Sequence, residues 1–393
     1  MNFKLLGSIL LVIGTSIGAG MLALPIANAQ LGFSGALILL VICWLIMTSG
    51  AFLLLEVNLW MPMNSNLNTM ARNTIGAGGQ IISWLAFLLL LYSLLSAYIG
   101  GGSDLLHNLL TLAGITVPMS VAAILFTVIF GSVVYFGIRS VDYVNRGLML
   151  VKFAAYLIVV LLLMPLINPQ HLMTGHLLQV PAATAITVTI TSFGFGTIVP
   201  SLRIYFGNDV KSLKKAIFIG SLIPLFCYIA WDMVIMGVLP LDSLRELLNS
   251  ENSTSGLVNG LNAAASSHSI HFLVQLFTSI CVLTSFLGVS LCLTDFWADA
   301  LQLEKKGMNS LIVTLATFFP PLIIVLFSPG IFVGALKYAG IYCIVLLVFL
   351  PSWMVLAGRR KHQEISHFTM PLGKLLPFVL MVLSVLMVGQ ALL

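Results

Sequence analysis

The sequence predicts an all-helical polytopic membrane protein: eleven transmembrane helices, a five-plus-five inverted repeat in which helices 1 and 6 are broken, and one extra C-terminal helix. Three observations predict this. First, the 393-residue chain is 60% hydrophobic and 7% charged, against about a quarter charged in soluble domains. Second, its apolar stretches are continuous and long, not the alternating ten-residue units of a membrane barrel. Third, one glycine-rich pattern occurs in two of those stretches, five apart.

About twenty apolar residues cross the hydrocarbon core. The sequence offers eleven such stretches, at 5–28, 34–60, 80–102, 118–137, 145–166, 182–205, 212–239, 271–300, 309–327, 331–357 and 372–392. Residues 1–166 make the first repeat, 182–357 the second, and 372–393 the extra helix. Residues 1–29 imitate a secretory leader, with Lys4, an apolar run and Ala27-Asn28-Ala29. The run is long enough to span and shares its motif with an internal helix, so it is expected to remain in the mature protein. The longest polar connection, around 240–268, is expected to fold over one mouth.

Charge orients the chain. With the N-terminus in the cytoplasm and the spans alternating, fifteen of the 17 Lys and Arg fall at cytoplasmic ends and loops. These are Lys4, Arg72, Arg139, Arg146, Lys152, Arg203, Lys211, Lys214, Lys215, Lys305, Lys306, Arg359, Arg360, Lys361 and Lys374. Such asymmetry follows the positive-inside rule, and one extra or missing span would scramble it. The C-terminus is then outside, and the five-span units run in opposite directions. The basic residues are dispersed, which gives no nucleic-acid signal. The five cysteines (Cys43, Cys227, Cys281, Cys292, Cys343) sit in apolar runs without a CxxC, so they read as packing residues rather than a disulfide or metal set.

The repeated pattern is Thr15-Ser16-Ile17-Gly18-Ala19-Gly20 with Pro25, and Thr191-Ser192-Phe193-Gly194-Phe195-Gly196 with Pro200. Backbone polar groups in lipid must be satisfied, so a glycine-rich interruption is tolerated only inside protein or along a cavity. Paired interruptions in two halves mark the substrate site of many secondary transporters; the alternative is a close-packing helix interface. An unwound turn presents N–H groups to an anion and C=O groups to a cation. Neither copy carries a charged side chain, so a zwitterionic amino acid matches both ends. The hydroxyls of Thr15, Ser16, Thr191 and Ser192 can add hydrogen bonds, or can bond back to their own helix. Phe193 and Phe195 flank Gly194 and offer apolar surface to a substrate side chain. Tyr92 and Ser96 lie near mid-depth of the third span and are further substrate candidates.

These residues also carry a resemblance. Gly14-Thr15-Ser16-Ile17-Gly18-Ala19-Gly20-Met21-Leu22-Ala23-Leu24-Pro25 resembles the first-helix signature of the bacterial hydroxy/aromatic amino acid permease family. Thr191-Ser192-Phe193-Gly194-Phe195 with Val199-Pro200-Ser201-Leu202 resembles its sixth helix, and Thr284-Ser285-Phe286-Leu287-Gly288-Val289-Ser290-Leu291 with Asp295 its eighth. The likeness covers essentially the whole chain and is closest to tyrosine- and tryptophan-specific permeases. It implies a LeuT-like transporter of the amino acid/polyamine/organocation superfamily in the bacterial inner membrane, importing an aromatic amino acid by proton symport. Relatives commonly carry His directly after the S-F-G-F run, where this chain has Gly196.

Ionisable groups at membrane depth are functional candidates. Lys152 stands about two turns into the fifth span. In some proton-coupled relatives of this fold a lysine of the fifth helix, between the first and eighth, stands where others bind sodium, and Lys152 matches that placement. An interfacial lysine snorkelling to the cytoplasm is the competing account. Glu56, before Met61-Pro62, is either a protonatable carboxylate or an interfacial one. Asp232 sits beside Trp231 in the seventh span, where a polar helix contact accounts for it. Asp295 and Asp299 share one face at the end of span 8. A sodium-driven carrier of a small neutral or hydroxy amino acid is the rival reading; its ion would use carbonyls near Gly14 and Ile17 with hydroxyls such as Thr284, Ser285 or Ser290.

A channel would need a repeated pore lining or carbonyl filter, which is absent. Enzymatic chemistry is not expected: the seven histidines lie in loops or at span ends, and neither HExxH nor GxxxxGK[ST] occurs. The sequence calls for no cofactor, no nucleic acid and no obligatory protein partner; the expected partners are the aromatic amino acid, protons and the lipid bilayer.

Overall fold

The computed structural model describes residues 3–136, 138–175, 181–248, 250–265, 268–304, 306–359 and 368–393. Lys305, Arg360 and Lys361 of the charge map and three of the seven histidines (His176, His362 and His367) lie outside these, as do the side chains of Arg139, Arg146 and His268.

Every regular element among the described residues is helical. In order they are α1 (Phe3–Ser16), α2 (Gly20–Ala27), α3 (Gly32–Trp60), α4 (Leu67–Leu112), α5 (Met119–Tyr135), α6 (Ile138–Leu163), α7 (Pro169–Met173), α8 (Ala183–Ser192), α9 (Val199–Phe206), α10 (Val210–Val238), α11 (Leu241–Leu248), α12 (Ser253–Ala265), α13 (His268–Ala300), α14 (Gly307–Phe327), α15 (Phe332–Ile344), α16 (Leu350–Gly358) and α17 (Leu375–Leu392). Nine segments among the described residues are long and apolar enough to cross a membrane, and α1 with α2, bent by 51° at their junction, makes a tenth. Helix α5, apolar over 17 residues, is shorter.

The outer faces of these helices carry large exposed apolar side chains, such as Leu45, Leu150, Phe226 and Phe319. The centre is packed from α4, α8, α13 and α15, with α1 and α2 against α10 and α8. A chain that shows apolar surface to lipid keeps its polar groups for the interior. Buried polar residues here, among them Ser16, Lys152, Ser192, Asp232 and Thr284, therefore mark where function can sit.

Three departures from the sequence reading have physical causes. Helix α4 overshoots the expected 80–102 at both ends. It begins at a side-chain cap, Thr69 N–H donating to Asn66 Oδ1 at 2.9 Å, and turns at Gly76, whose φ of +82° only glycine adopts without strain. The polar connection at 240–268 contains α11 and α12, which pack on α2, α4 and α13. Asp104 of α4 holds the start of α12, accepting from Thr254 N (3.0 Å) and Ser255 N (2.8 Å), and from the Ser255 hydroxyl; anionic caps of this kind stabilise helix N-termini. Between α15 and α16 the helix widens to a π turn at Val345–Phe349, a feature that helices carry most often at functional sites.

Candidate functional site

Both glycine-rich copies interrupt their helices, and the two interruptions meet. The first follows α1. Thr15 Oγ1 donates to Leu11 O (2.9 Å) and Ser16 Oγ to Val12 O (3.0 Å), so both hydroxyls bond back to their own helix. The chain then leaves the helix at Ile17, Gly18 and Ala19. Two of the freed backbone groups find partners far along the chain. Lys152 Nζ of α6 donates to Ile17 O at 2.7 Å and lies 3.4 Å from Thr284 Oγ1 of α13. Ala19 N–H donates to Ser285 Oγ at 3.0 Å. The lysine is only 1% exposed, so its ammonium is packed inside the protein rather than reaching out along the surface. A Cβ on Gly18 would collide with Ser285 Oγ, and one on Gly14 with the Met149 side chain. Glycine at both positions lets α13 and α6 come this close.

The second interruption is built differently. Thr191 Oγ1 reaches Thr187 O (2.8 Å) and Leu336 O (3.1 Å), and Ser192 Oγ donates to Val188 O (3.0 Å). After Phe193 the backbone tightens into a 3-10 turn at Gly194–Ile198. Within it Thr197 Oγ1 donates to Gly194 O at 3.4 Å. Phe193 and Phe195 are fully buried. A Cβ on Gly194 would stand 3.6 Å from Cys343 Sγ, and one on Gly196 3.2 Å from a Leu347 methyl of the π turn.

What joins the two is Tyr228 of α10. Its hydroxyl lies 2.6 Å from Ser16 O and 2.8 Å from Ser192 O, so one proton is shared between the carbonyls that end α1 and α8. Its ring stands edge-on to Phe193, centroids 5.1 Å apart. Gly20 closes the contact, because a Cβ there would be 3.1 Å from Ser192 Oγ. Tyr228 was not among the sequence-level candidates. The available signal was a lone tyrosine four residues before Asp232, both on one face of an apolar span. Tyr98 of α4 also belongs here, its hydroxyl against Ser285.

Other candidates lie elsewhere. Tyr92 donates to Ala316 O of α14 (2.7 Å) and accepts from Trp297 Nε1 (2.9 Å), and Ser96 Oγ donates back to Tyr92 O (2.9 Å). These contacts tie helices together and leave the Tyr92 hydroxyl occupied. Ser290 bonds back to Phe286 O. Glu56 is fully buried within the protein. Arg359 grips both its oxygens, Nε at 2.7 Å and Nη2 at 2.8 Å, and Met370 N–H adds a third bond at 2.8 Å. That arrangement clamps the segment before α17 onto α3.

A cavity of about 470 Å³ leads toward the second interruption. Its lining includes Asn68, Trp84, Phe87, Thr197, Phe296 and Leu346. Its size lies within the range of small-molecule sites, roughly 300–1,000 Å³. Among the described residues no group of three or more His, Cys, Asp or Glu is placed to hold a metal.

Fold and site together define a multi-pass membrane protein whose polar interior converges on two interrupted helices. A profile of the tryptophan/tyrosine permease family matches residues 1–390, and the chain belongs to that family. It is similar to tyrosine-specific transport system 1 of Haemophilus influenzae, with 37% identity over 391 residues, 98% of this chain and 95% of that one. It is similar also to tyrosine-specific transport system 2 of the same organism, with 34% identity over 98% of this chain and 96% of the other. Glutamine transporter 2 of Aliivibrio fischeri is 33% identical over 95% of this chain and 96% of its own length.

Proposed function

We propose that this chain is a secondary active transporter that imports an aromatic amino acid, tyrosine first and then tryptophan or phenylalanine, by proton symport with alternating access. The observation that carries the proposal is the meeting of the two interruptions at the Tyr228 hydroxyl, 2.6 and 2.8 Å from the carbonyls that end α1 and α8. Carbonyl ends of this kind suit an ammonium, and the amide ends of the following half-helices suit a carboxylate. Phe193, edge-on to Tyr228, and Phe195 are both buried beside the second interruption; exposed to substrate as the site opens, each would add about 0.5–1.5 kcal/mol of ring–ring contact beyond area burial. The names of the two Haemophilus influenzae relatives support tyrosine. The name of the Aliivibrio fischeri relative favours a second reading, a small neutral amino acid, at the same backbone site.

Proton coupling draws its support from Lys152. Its ammonium sits against Ile17 O and Thr284 Oγ1, two of the ligands a sodium ion would use there. A fixed positive charge in that position repels a second cation. A lysine on a carbonyl can surrender and regain its proton as the break opens and closes.

A five-plus-five inverted repeat of eleven spans is our reading of the architecture, counting α5 as a full span. The packing supports it, because contacts exchange between halves. Helix α1 packs on α10 as α8 packs on α3, α6 on α13 as α15 on α4, and α4 on α5 as α13 on α14. The distribution of Lys and Arg supports a cytoplasmic N-terminus in the bacterial inner membrane, and the cavity then faces the cytoplasm. The test is uptake of labelled tyrosine into proteoliposomes under an imposed proton gradient. Saturable accumulation with counterflow is expected; linear, unsaturable entry would contradict the proposal.

A further inference from the structure

We infer that Asp232 of α10, facing Asn28, is a proton-binding site of the transport cycle, distinct from Lys152 and at the far end of the half-helix that follows the first interruption. The inference rests on the proton-symport reading and adds a residue to it. Asp232 follows Tyr228 by four residues, so it shares that helix face and lies about 6 Å further along the axis, toward the end of α2. It has no solvent exposure, and neither carboxylate oxygen has a hydrogen-bond partner. The amide nitrogen of Asn28, equally buried, is also without one. The Asn28 side chain faces the carboxylate just outside hydrogen-bond geometry; its Oδ1 accepts from Thr189 Oγ1 of α8 at 3.5 Å. Three elements thus bear on one carboxyl group: α10 carries it, Asn28 at the end of α2 faces it, and Thr189 of α8 holds Asn28.

Among the described residues no charge compensates it. On its own helix the titratable neighbours are Tyr228 and Cys227. On α6, Tyr156 donates to Cys227 O and Lys152 is engaged at Ile17. On α7, His171 Nδ1 lies 3.1 Å from Gly237 O. On α3, Cys43 is buried and Glu56 is held by Arg359; on α9, Arg203 donates to Met61 O and Tyr205 is exposed; on α1, Lys4 lies over the Tyr205 ring. Helices α2 and α12 carry no titratable side chain among their described residues. An unpaired carboxylate in such a place costs several kcal/mol, whereas the neutral acid costs far less. Asn28 also closes the C-terminus of α2, whose partial negative charge opposes an anion further.

The packed arrangement therefore requires Asp232 to hold a proton. Moving α2 and α8 away from α10 would admit water, and the carboxyl group could then release or take up its proton. The same proton is bound when the end closes, so closure and protonation are linked. Lys152 contacts the α1 side of the break and Asp232 the α2 side, which puts a protonatable group on each half of the interrupted helix.

The test uses full-length protein in liposomes with a pH-sensitive dye inside, comparing tyrosine-driven internal acidification with tyrosine counterflow. Asp232→Asn mimics the protonated acid. It is expected to go on exchanging tyrosine while acidification falls by about tenfold or more and KM no longer varies with external pH. Acidification and a pH profile equal to the parent protein's would overturn the inference. Should Asp232→Asn fail to fold, the reciprocal Asn28→Asp/Asp232→Asn pair carries the test, because it puts the carboxyl group back across the same gap. That pair is expected to acidify the interior on tyrosine addition, and a folded pair that exchanges without acidifying would overturn the inference. If the parent protein itself shows sodium-dependent uptake without acidification, proton symport fails and the inference with it. Acidification in the parent that persists in Asp232→Asn removes Asp232 alone.

Discussion

The two interruptions share a sequence pattern and little else. At the first, freed backbone groups are satisfied by side chains from distant helices, Lys152 at Ile17 O and Ser285 at Ala19 N. At the second, Tyr228 takes up Ser192 O, the chain then tightens into a 3-10 turn, and the surroundings are Cys343, Leu347 and two buried phenylalanines. Near-identical glycine spacing thus produces a polar junction in one half and an apolar one in the other. The difference lies in what each is packed against. Under the proposed function the first interruption handles the ion and the second shapes the space for a side chain. Tyr228 keeps the two in register.

Breaking the polar junction should have the largest effect. Lys152→Met removes a buried donor and leaves Ile17 O unpartnered. Loss of a charged hydrogen bond is worth about 1.5–3 kcal/mol, so proton-driven tyrosine uptake should fall by about ten- to a hundredfold. Initial rates in proteoliposomes check this, and a rate within twofold of the parent's would remove Lys152 from the account.

The next contrast uses methyl groups. Gly18→Ala forces Ser285 Oγ away from Ala19 N, stranding a buried donor at a cost of about 1–3 kcal/mol. Gly194→Ala adds only an ordinary contact to Cys343, 3.6 Å away. Thermal unfolding in detergent and uptake should both drop for the first variant and change little for the second. Equal damage at both sites would show that the two interruptions are alike after all.

Tyr228→Phe keeps the ring against Phe193 and deletes the shared proton. A net loss of about 1 kcal/mol implies a KM for tyrosine raised by about fivefold, measured by concentration-dependent uptake. The smallest effect on transport is expected from Tyr92→Phe, which unties Ala316 and Trp297. Stability should fall by about 1 kcal/mol, read from the unfolding midpoint, while KM stays put; a raised KM would bring Tyr92 back into the substrate site.

Much of this was legible in sequence because membrane helices announce themselves. Apolar length located the spans, and paired glycines located both interruptions, since few other patterns survive at that depth. Lys152 was legible as a charge in an apolar span. What escaped depends on packing between distant segments. Nothing local to Tyr228 says that its hydroxyl reaches Ser16 and Ser192. The four hydroxyls of Thr15, Ser16, Thr191 and Ser192 had two readings each, and the backbone carbonyls one turn back decide for self-bonding in this conformation. The π turn at Val345–Phe349 faces Gly50 of α3, where a side chain would strike Leu347 O; no periodicity in 331–357 signals it. Helices α11 and α12 were hidden by polar composition, because α12 is anchored by Asp104 from another part of the chain.

The central claim is an aromatic amino acid carried with a proton at two facing interruptions. Its most direct test is competition against labelled tyrosine uptake in proteoliposomes, with tryptophan, phenylalanine, glutamine, serine and leucine as competitors, in the presence and absence of sodium. The account predicts that the aromatic amino acids compete, the other three do not, and uptake persists without sodium while dissipating a proton gradient. Stronger competition by glutamine, serine or leucine, or uptake that stops when sodium is removed, would contradict it.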